Sequence, residues 1–202
     1  MAHTPLHTVY LTALHYPVYA LGLGRRIGVW FQGCSIRCDG CIARDEWEVT
    51  DTGQTTVEEV LGRIAGFSPV DGATISGGEP FDQPEALYAL VLGMRGIGID
   101  DILCYSGYEY RRLCGLFPHT LSSIDVLVDG GFVNGLNTPY AWKGSDNQEM
   151  VILSANESII SAYGQYRNET RRKIQIIEGH SGIFAAGIPT QEHAEALRNG
   201  FI

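Results

Sequence analysis

Ile27-Gly-Val-Trp-Phe31-Gln-Gly-Cys34-Ser-Ile-Arg-Cys38-Asp-Gly-Cys41 has two halves. Ile27 to Phe31 is a short β-branched and aromatic run, the pattern of a buried strand. It delivers the chain into three cysteines spaced C-x3-C-x2-C. A structural zinc or an ordinary four-iron cluster takes four protein ligands, so three thiolates leave one coordination position open. An open iron is a place for a substrate or cofactor, which points to an enzyme rather than an electron carrier. Two other readings stand beside this one: three incidental thiols, and a zinc knuckle completed by a distant His, Cys104 or Cys114.

On either side of this stretch, strand-like and helix-like segments alternate. Thr56 and Glu59 form a capping-box pattern ahead of Val57, Val60, Leu61 and Ile64, which share one helix face. Ala73 to Ser76 reads as a second strand and ends in Gly77-Gly78. A helix follows with Pro84 in its first turn and Leu87, Leu90 and Val91 inward. Ile102 to Tyr105 is a third strand, Tyr108 to Cys114 a short helix, and Ile124 to Val128 a fourth strand. Alternation of this kind predicts parallel strands joined by right-handed crossovers. In such sheets functional residues gather at the carboxyl ends of the strands. Here those ends carry the cysteine loop, Gly77-Gly78-Glu79-Pro80, Ser106-Gly107 and Asp129-Gly130. The expected fold class is therefore α/β, a partial (β/α) barrel of mostly parallel strands with a C-terminal hairpin/helix extension. In that extension a helix capped by Ser154 or Asn156 runs to about Tyr163. Lys173 to Ile177 and Ile183 to Ala186 pair across a turn at Glu178 to Gly182. A helix from Gln191 to Asn199 follows the cap Thr190. The expected organisation is a core over 1–150 and an extension over 151–202 packed on the same domain.

Composition bounds the function. The chain is 45% hydrophobic and 18% charged with net charge −9, which argues against a nucleic-acid binder and its basic face. No segment reaches the ~18 apolar residues of a membrane helix. Met1 to Tyr10 holds no Lys or Arg and no apolar run, so it is not a secretory signal. Five cysteines, three of them in one cluster, read as metal binding in a reducing compartment, so the expected location is cytoplasmic. The six histidines are scattered without a metal-ligand pair. No Ser-His-Asp or paired-carboxylate set stands out, and no catalytic side chain is expected beyond the metal centre and its ligand.

The cysteine loop, the strand before it and Gly77-Gly78-Glu79-Pro80 together resemble the radical S-adenosylmethionine superfamily. A narrower resemblance runs from about Tyr16 to Met150. It rests on Leu23-Gly-Arg-Arg-Ile27, Gln32-Gly-Cys34, Ser76 to Pro80, Tyr105-Ser-Gly-Tyr108, Val128-Asp-Gly-Gly-Phe-Val133 and Trp142-Lys-Gly-Ser-Asp-Asn-Gln148. These segments look like the anaerobic ribonucleoside-triphosphate reductase activating proteins, small glycyl-radical-activating enzymes. The resemblance implies a [4Fe-4S] cluster on Cys34, Cys38 and Cys41, with S-adenosylmethionine on the open iron. Gly40 and Ile42 would lie against its adenine. Gly77, Gly78, Glu79 and Pro80 would take its methionine end, Glu79 pairing with the amino group. Ser106 and Gly107 would be further cofactor contacts, and Asp129 either a cation-binding or substrate-facing acid or a simple turn residue.

The implied reaction is reductive cleavage of S-adenosylmethionine to a 5′-deoxyadenosyl radical that abstracts hydrogen from a glycine of a partner protein, one similar to ribonucleotide reductase. A flavodoxin- or ferredoxin-type protein would donate the electron, and no nucleic acid or membrane takes part. One alternative is a radical enzyme modifying another peptide, nucleoside or small molecule. Another, of a different class, is a non-catalytic iron–sulfur electron-transfer or sensor protein. Arg25, Arg26, Arg37 and Arg44 suggest a docking patch for an acidic donor, although Asp39, Asp45, Glu46 and Glu48 interleave with them. Trp30 and Trp47 flank the loop and either shield the metal centre from water or simply pack. The reductase activators end soon after the Asn-Gln segment, whereas this chain runs on to residue 202.

Overall fold

The computed structural model describes residues 7–179, 182–190 and 192–194 of the chain. Its centre is an open seven-stranded sheet. In chain order the strands are β1 (Thr8–Val18), β2 (Arg26–Phe31), β3 (Gln54–Thr56), β4 (Gly72–Gly77), β5 (Ile102–Tyr105), β6 (Val126–Asp129) and β7 (Glu149–Ile152), and their spatial order is β3-β1-β2-β4-β5-β6-β7. β2, β4, β5 and β6 run parallel, as the βα alternation predicts, while β1, β3 and β7 pair antiparallel at the two sides. Among the described residues the sheet does not close on itself, so the barrel expectation holds only as an α/β sheet with parallel centre.

The parallel strands alternate between two apolar layers, as strands covered on both faces must. Ile27, Val29, Phe31, Ile75, Ile102, Cys104 and Leu127 face one layer with helices α1 (Val57–Ile64), α2 (Pro84–Gly96), α3 (Tyr110–Leu116) and α4 (Pro118–Ser122). Leu87, Leu90 and Val91 on α2 are fully buried there, each side chain worth roughly 1.5–3 kcal/mol of burial. The capping box forms as the sequence indicates: Glu59 N donates to Thr56 Oγ1 at 3.2 Å and Thr56 N to Glu59 Oε2 at 3.1 Å. α3 lies two residues beyond the expected Tyr108–Cys114, because Tyr108 is held by Ser106 Oγ in the turn before it.

The opposite face is covered by the later chain. Helix α5 (Glu157–Tyr166), capped by Asn156, sets Ile159 and Tyr163 against Leu103, Val126, Val128 and Met150. The hairpin of β8 (Ile174–Gly179) and β9 (Gly182–Gly187) lays Ile177 and Ala186 on Val18, Leu21 and Trp30. Trp30 is thus a core residue, edge-on to Phe184 at 5.2 Å between centroids. Of the expected last helix, residues 192–194 are helical after the cap Thr190, and 191 and 195–199 lie outside the described residues.

Arg26 opens β2 but is 0% exposed. Its guanidinium spans the sheet base, meeting Thr74 Oγ1 at 2.6 Å and both Asp101 carboxylate oxygens at 3.1 Å. Among the described residues no helix is long and apolar enough to cross a membrane.

Candidate metal centre

Register aligns the ends of the parallel strands. Phe31 stands opposite Gly77, Ile75 opposite Cys104 and Tyr105 opposite Val128, so the loops after β2, β4, β5 and β6 emerge side by side. The segments singled out in the sequence are those loops. Backbone bonds tie the first two: Gly78 N donates to Phe31 O and Glu79 N to Gly33 O, both at 2.8 Å. Gly78 permits this contact, because a Cβ there would lie 2.1 Å from Gly33 O. Gly77 has φ +109°, where L side chains rarely fit.

Glu79 joins the second and third loops from beneath. Fully buried, it accepts from Phe81 N at 3.0 Å and Ser106 Oγ at 2.9 Å on one oxygen, and from Gly107 N at 2.7 Å on the other. Burial pushes its carboxyl up to about 7 against the pull of these donors. A second brace was not legible in the sequence. Ser35 N and Oγ donate to Asp82 at 2.6 and 2.9 Å, and the Tyr108 hydroxyl reaches both Asp82 Oδ1 and Ser35 Oγ at 2.9 Å. The three residues come from three loops, and only their proximity to the recognised motifs hints at them.

The fourth loop is fastened by Trp142 to Gln148. Gln148 accepts from Gly144 N at 2.7 Å and donates to Gly130 O at 2.9 Å, and Asn147 donates to Gly131 O at 2.8 Å. Asp129 is buried and accepts from Tyr110 N at 2.6 Å, starting α3. It also lines an open cavity of about 830 Å³ with Gly107, Gly130, Asn147, Glu149 and Arg167.

Cys34, Cys38 and Cys41 are free and half-buried. Burial raises all three thiols, and backbone N–H groups offset it by favouring the thiolates: Ile36 and Arg37 at Cys34, Phe132 and Cys38 itself at Cys38, Ala43 at Cys41. Cys38 interacts electrostatically with Cys34, and Cys41 with Cys38. The Cys38 sulfur lies where a Cβ on Gly131 would be 3.2 Å away, so the fourth loop also closes on the thiols. Among the described residues no three His, Cys, Asp or Glu side chains converge as ligands of a single ion; a four-iron cluster places each thiolate on a separate iron. Gly40 is buried beside Asn134, and Ile42 is exposed at the rim. Two buried polar atoms near Cys41, Trp47 Nε1 and Glu46 Oε2, have no hydrogen-bond partner among the described residues. An orphaned donor at Cys41, with backbone N–H groups at all three cysteines, fits an anionic iron–sulfur group.

Burial and neighbouring Asp45 push the Glu46 carboxyl up to about 8. An unfolded glutamate ionises near 4.5, so between those values the folded chain holds a proton that the unfolded chain lacks. The resulting stability is full below about 4.5 and falls by up to about 1.4 kcal/mol per pH unit until pH 8. Denaturant unfolding of cluster-free protein at pH 5.5 and 8 measures it. Glu46→Gln is expected to lose less stability over that interval than the parent; equal losses would contradict this account.

The arginine patch does not form. Arg25 and Arg26 sit at the start of β2, roughly 17 Å of strand away from the cysteine loop at its end, where Arg25 pairs with Asp71 at 3.3 Å and Arg26 is buried. Only Arg37 and Arg44 stand among the cysteines, paired with Glu48 at 2.6 Å and Asp39 at 3.5 Å.

A family model described as a 4Fe-4S single cluster domain matches residues 20–151. The anaerobic ribonucleoside-triphosphate reductase-activating protein of Enterobacteria phage T4 is 31% identical over 143 residues, 67% of this chain and 89% of its own. The protein of the same name from Escherichia coli (strain K12) is 30% identical over 145 residues, 66% of this chain and 93% of its own. The pyruvate formate-lyase-activating enzyme of Clostridium pasteurianum is 35% identical over 119 residues, 55% of this chain and 50% of its own. Together with the α/β sheet and its thiol-lined rim, these matches make the chain an iron–sulfur enzyme. It belongs to the 4Fe-4S single cluster domain family, among the radical S-adenosylmethionine activating enzymes. α5 and the β8–β9 hairpin lie beyond the residues the family model matches.

Proposed function

We propose that this chain activates a glycyl-radical partner protein similar to ribonucleotide reductase. Cys34, Cys38 and Cys41 hold a [4Fe-4S] cluster whose fourth iron takes S-adenosylmethionine. When bound, the group supplies one electron to the sulfonium, giving methionine and a 5′-deoxyadenosyl radical that removes a glycine hydrogen. Gly77, Gly78 and Pro80 line the methionine end. Glu79 fixes their loop from below and provides the negative charge that favours an ammonium. Ser106 and Gly107 continue that surface, and Gly40 and Ile42 take the adenine. Asp129 and the cavity beside it face the side from which a partner's loop would enter. The open sheet acts as a partial (β/α) barrel, with residues 151–202 an extension packed on the core of 1–150. A cytoplasmic flavodoxin- or ferredoxin-type protein is the electron source.

The observation that carries this reading is the unbroken hydrogen-bonded row of four strand-end loops, with three thiols at one end and Gly77 to Pro80 next to them. Anaerobic reconstitution with iron and sulfide, followed by S-adenosylmethionine and dithionite, tests it. The expected product is 5′-deoxyadenosine, with a glycyl radical signal when the partner is added. A normal cluster without cleavage would overturn the reading in favour of an electron-transfer or sensor protein. Cleavage without a glycyl radical would favour a different substrate.

A further inference from the structure

After Cys41 the chain turns back through a short 3₁₀ segment, Arg44–Glu46, closed by Glu46 N to Ala43 O at 3.2 Å and Trp47 N to Arg44 O at 3.1 Å. The carbonyls of that turn grip the start of the cysteine loop. Glu46 O accepts from Gly33 N at 2.7 Å, and Trp47 O accepts from Cys34 N at 3.1 Å. The backbone of Trp47 is therefore fastened to the first cysteine, while its indole lies beside the third. The Arg44 guanidinium sits over the ring, 5.6 Å from its centre. So held, the ring buries an N–H that no acceptor among the described residues satisfies. A buried donor left unpaired costs free energy, and a native fold that keeps one has a use for it. The Cys41 sulfur is within its influence: the indole and Ala43 N–H both favour the Cys41 thiolate.

We propose that the Trp47 indole N–H donates a hydrogen bond to the Cys41 sulfur when the cluster is bound, and that this bond makes the cluster easier to reduce. The inference rests on the cluster reading above. The physical reason is charge. One-electron reduction makes the cluster more negative, so a donor aimed at a ligand sulfur stabilises the reduced form more than the oxidised one. Trp47 is then a positioning residue that acts through Cys41. Packing alone would give the ring but no use for its nitrogen.

Trp47→Phe separates the two roles, because phenylalanine keeps an aromatic ring under Arg44 and cannot donate. The measurement is a redox titration of reconstituted parent and variant, followed by the reduced-cluster EPR signal. Iron and sulfide content is expected to match. At a fixed poise the reduced-to-oxidised ratio should fall about tenfold in the variant, a midpoint ~59 mV lower for a one-electron couple. Should the variant fold poorly, the parent alone suffices: with 15N at the indole nitrogens of its tryptophans, Nε1 should give a 15N coupling to the reduced cluster, which reports Trp47 because Trp142 Nε1 is bound to Arg167 O and Trp30 packs against Phe184. Equal midpoints in parent and variant, or no indole 15N coupling in the parent, would overturn the proposal. A parent that assembles no cluster would instead overturn the reading beneath it, and this bond with it.

Discussion

Cys38→Ala is expected to lose both the cluster and the cleavage of S-adenosylmethionine while keeping its fold. The fold forecast follows from what Cys38 touches. It makes no disulfide, is half-buried in a loop and belongs to none of the apolar layers. Such a change falls in the range of about 1 kcal/mol or less. The cluster forecast follows from coordination. Changes to outer-shell partners alone cost about 10–100-fold in metal affinity or activity, and removal of a ligand from a set of three should exceed that. Iron content, the brown absorbance and 5′-deoxyadenosine yield are the readouts, beside a denaturant melt of the cluster-free protein. Cys104→Ala is the control. That thiol is fully buried in β5 within the layer beneath α2, so the variant should lose stability and keep its cluster. Substantial cluster and cleavage in Cys38→Ala would contradict the ligand assignment.

Gly78→Ala is expected to damage the site through the backbone. An added Cβ would lie 2.1 Å from Gly33 O and 2.7 Å from Gly33 C. Gly33 has little room to retreat, since its N–H is bound to Glu46 O and its carbonyl accepts from Glu79 N. Overpacking of this sort costs about 1–3 kcal/mol or more. Here the strain also falls between the cysteine loop and the loop proposed to take the methionine end. Both a lower unfolding midpoint and a loss of cleavage larger than the loss of cluster are therefore expected. Gly62→Ala sets the scale. On the exposed face of helix α1, with nothing within 4 Å of the added Cβ, it should stabilise by about 0.5–1 kcal/mol. A Gly78→Ala protein as stable and active as its parent would mean that the two loops are not locked together.

The central strands were legible because they are buried on both faces and read as uninterrupted apolar runs: Ile27 to Phe31, Ile102 to Tyr105. β1 was not, although it is the longest strand. Its register shifts between Leu11 and Ala13 and between His15 and Val18, which breaks the two-residue alternation, and Pro17 near its end reads as a stop. β3 and β7 lie at the two sides of the sheet and neither reads as a buried apolar run: Gln54 to Thr56 is polar throughout, and β7 opens on exposed Glu149. In the site, the motifs announced the four loops but not what fastens them. Ser35, Asp82 and Tyr108 are far apart in sequence, and the row of arginines around the first motif dissolves once β2 carries Arg26 away from Cys34. The sequence shows the ring of Trp47 beside the loop; that its nitrogen is buried depends on the fold of the turn after Cys41.

The central claim is that three cysteines leave one iron open and that S-adenosylmethionine occupies it. Electron–nuclear double resonance on the reduced, reconstituted protein, with S-adenosylmethionine carrying 15N at its amino group, tests this most directly. A 15N hyperfine coupling to the cluster is predicted, together with a changed EPR line shape when the cofactor is added. A cluster signal unaltered by S-adenosylmethionine and free of 15N coupling would contradict the claim.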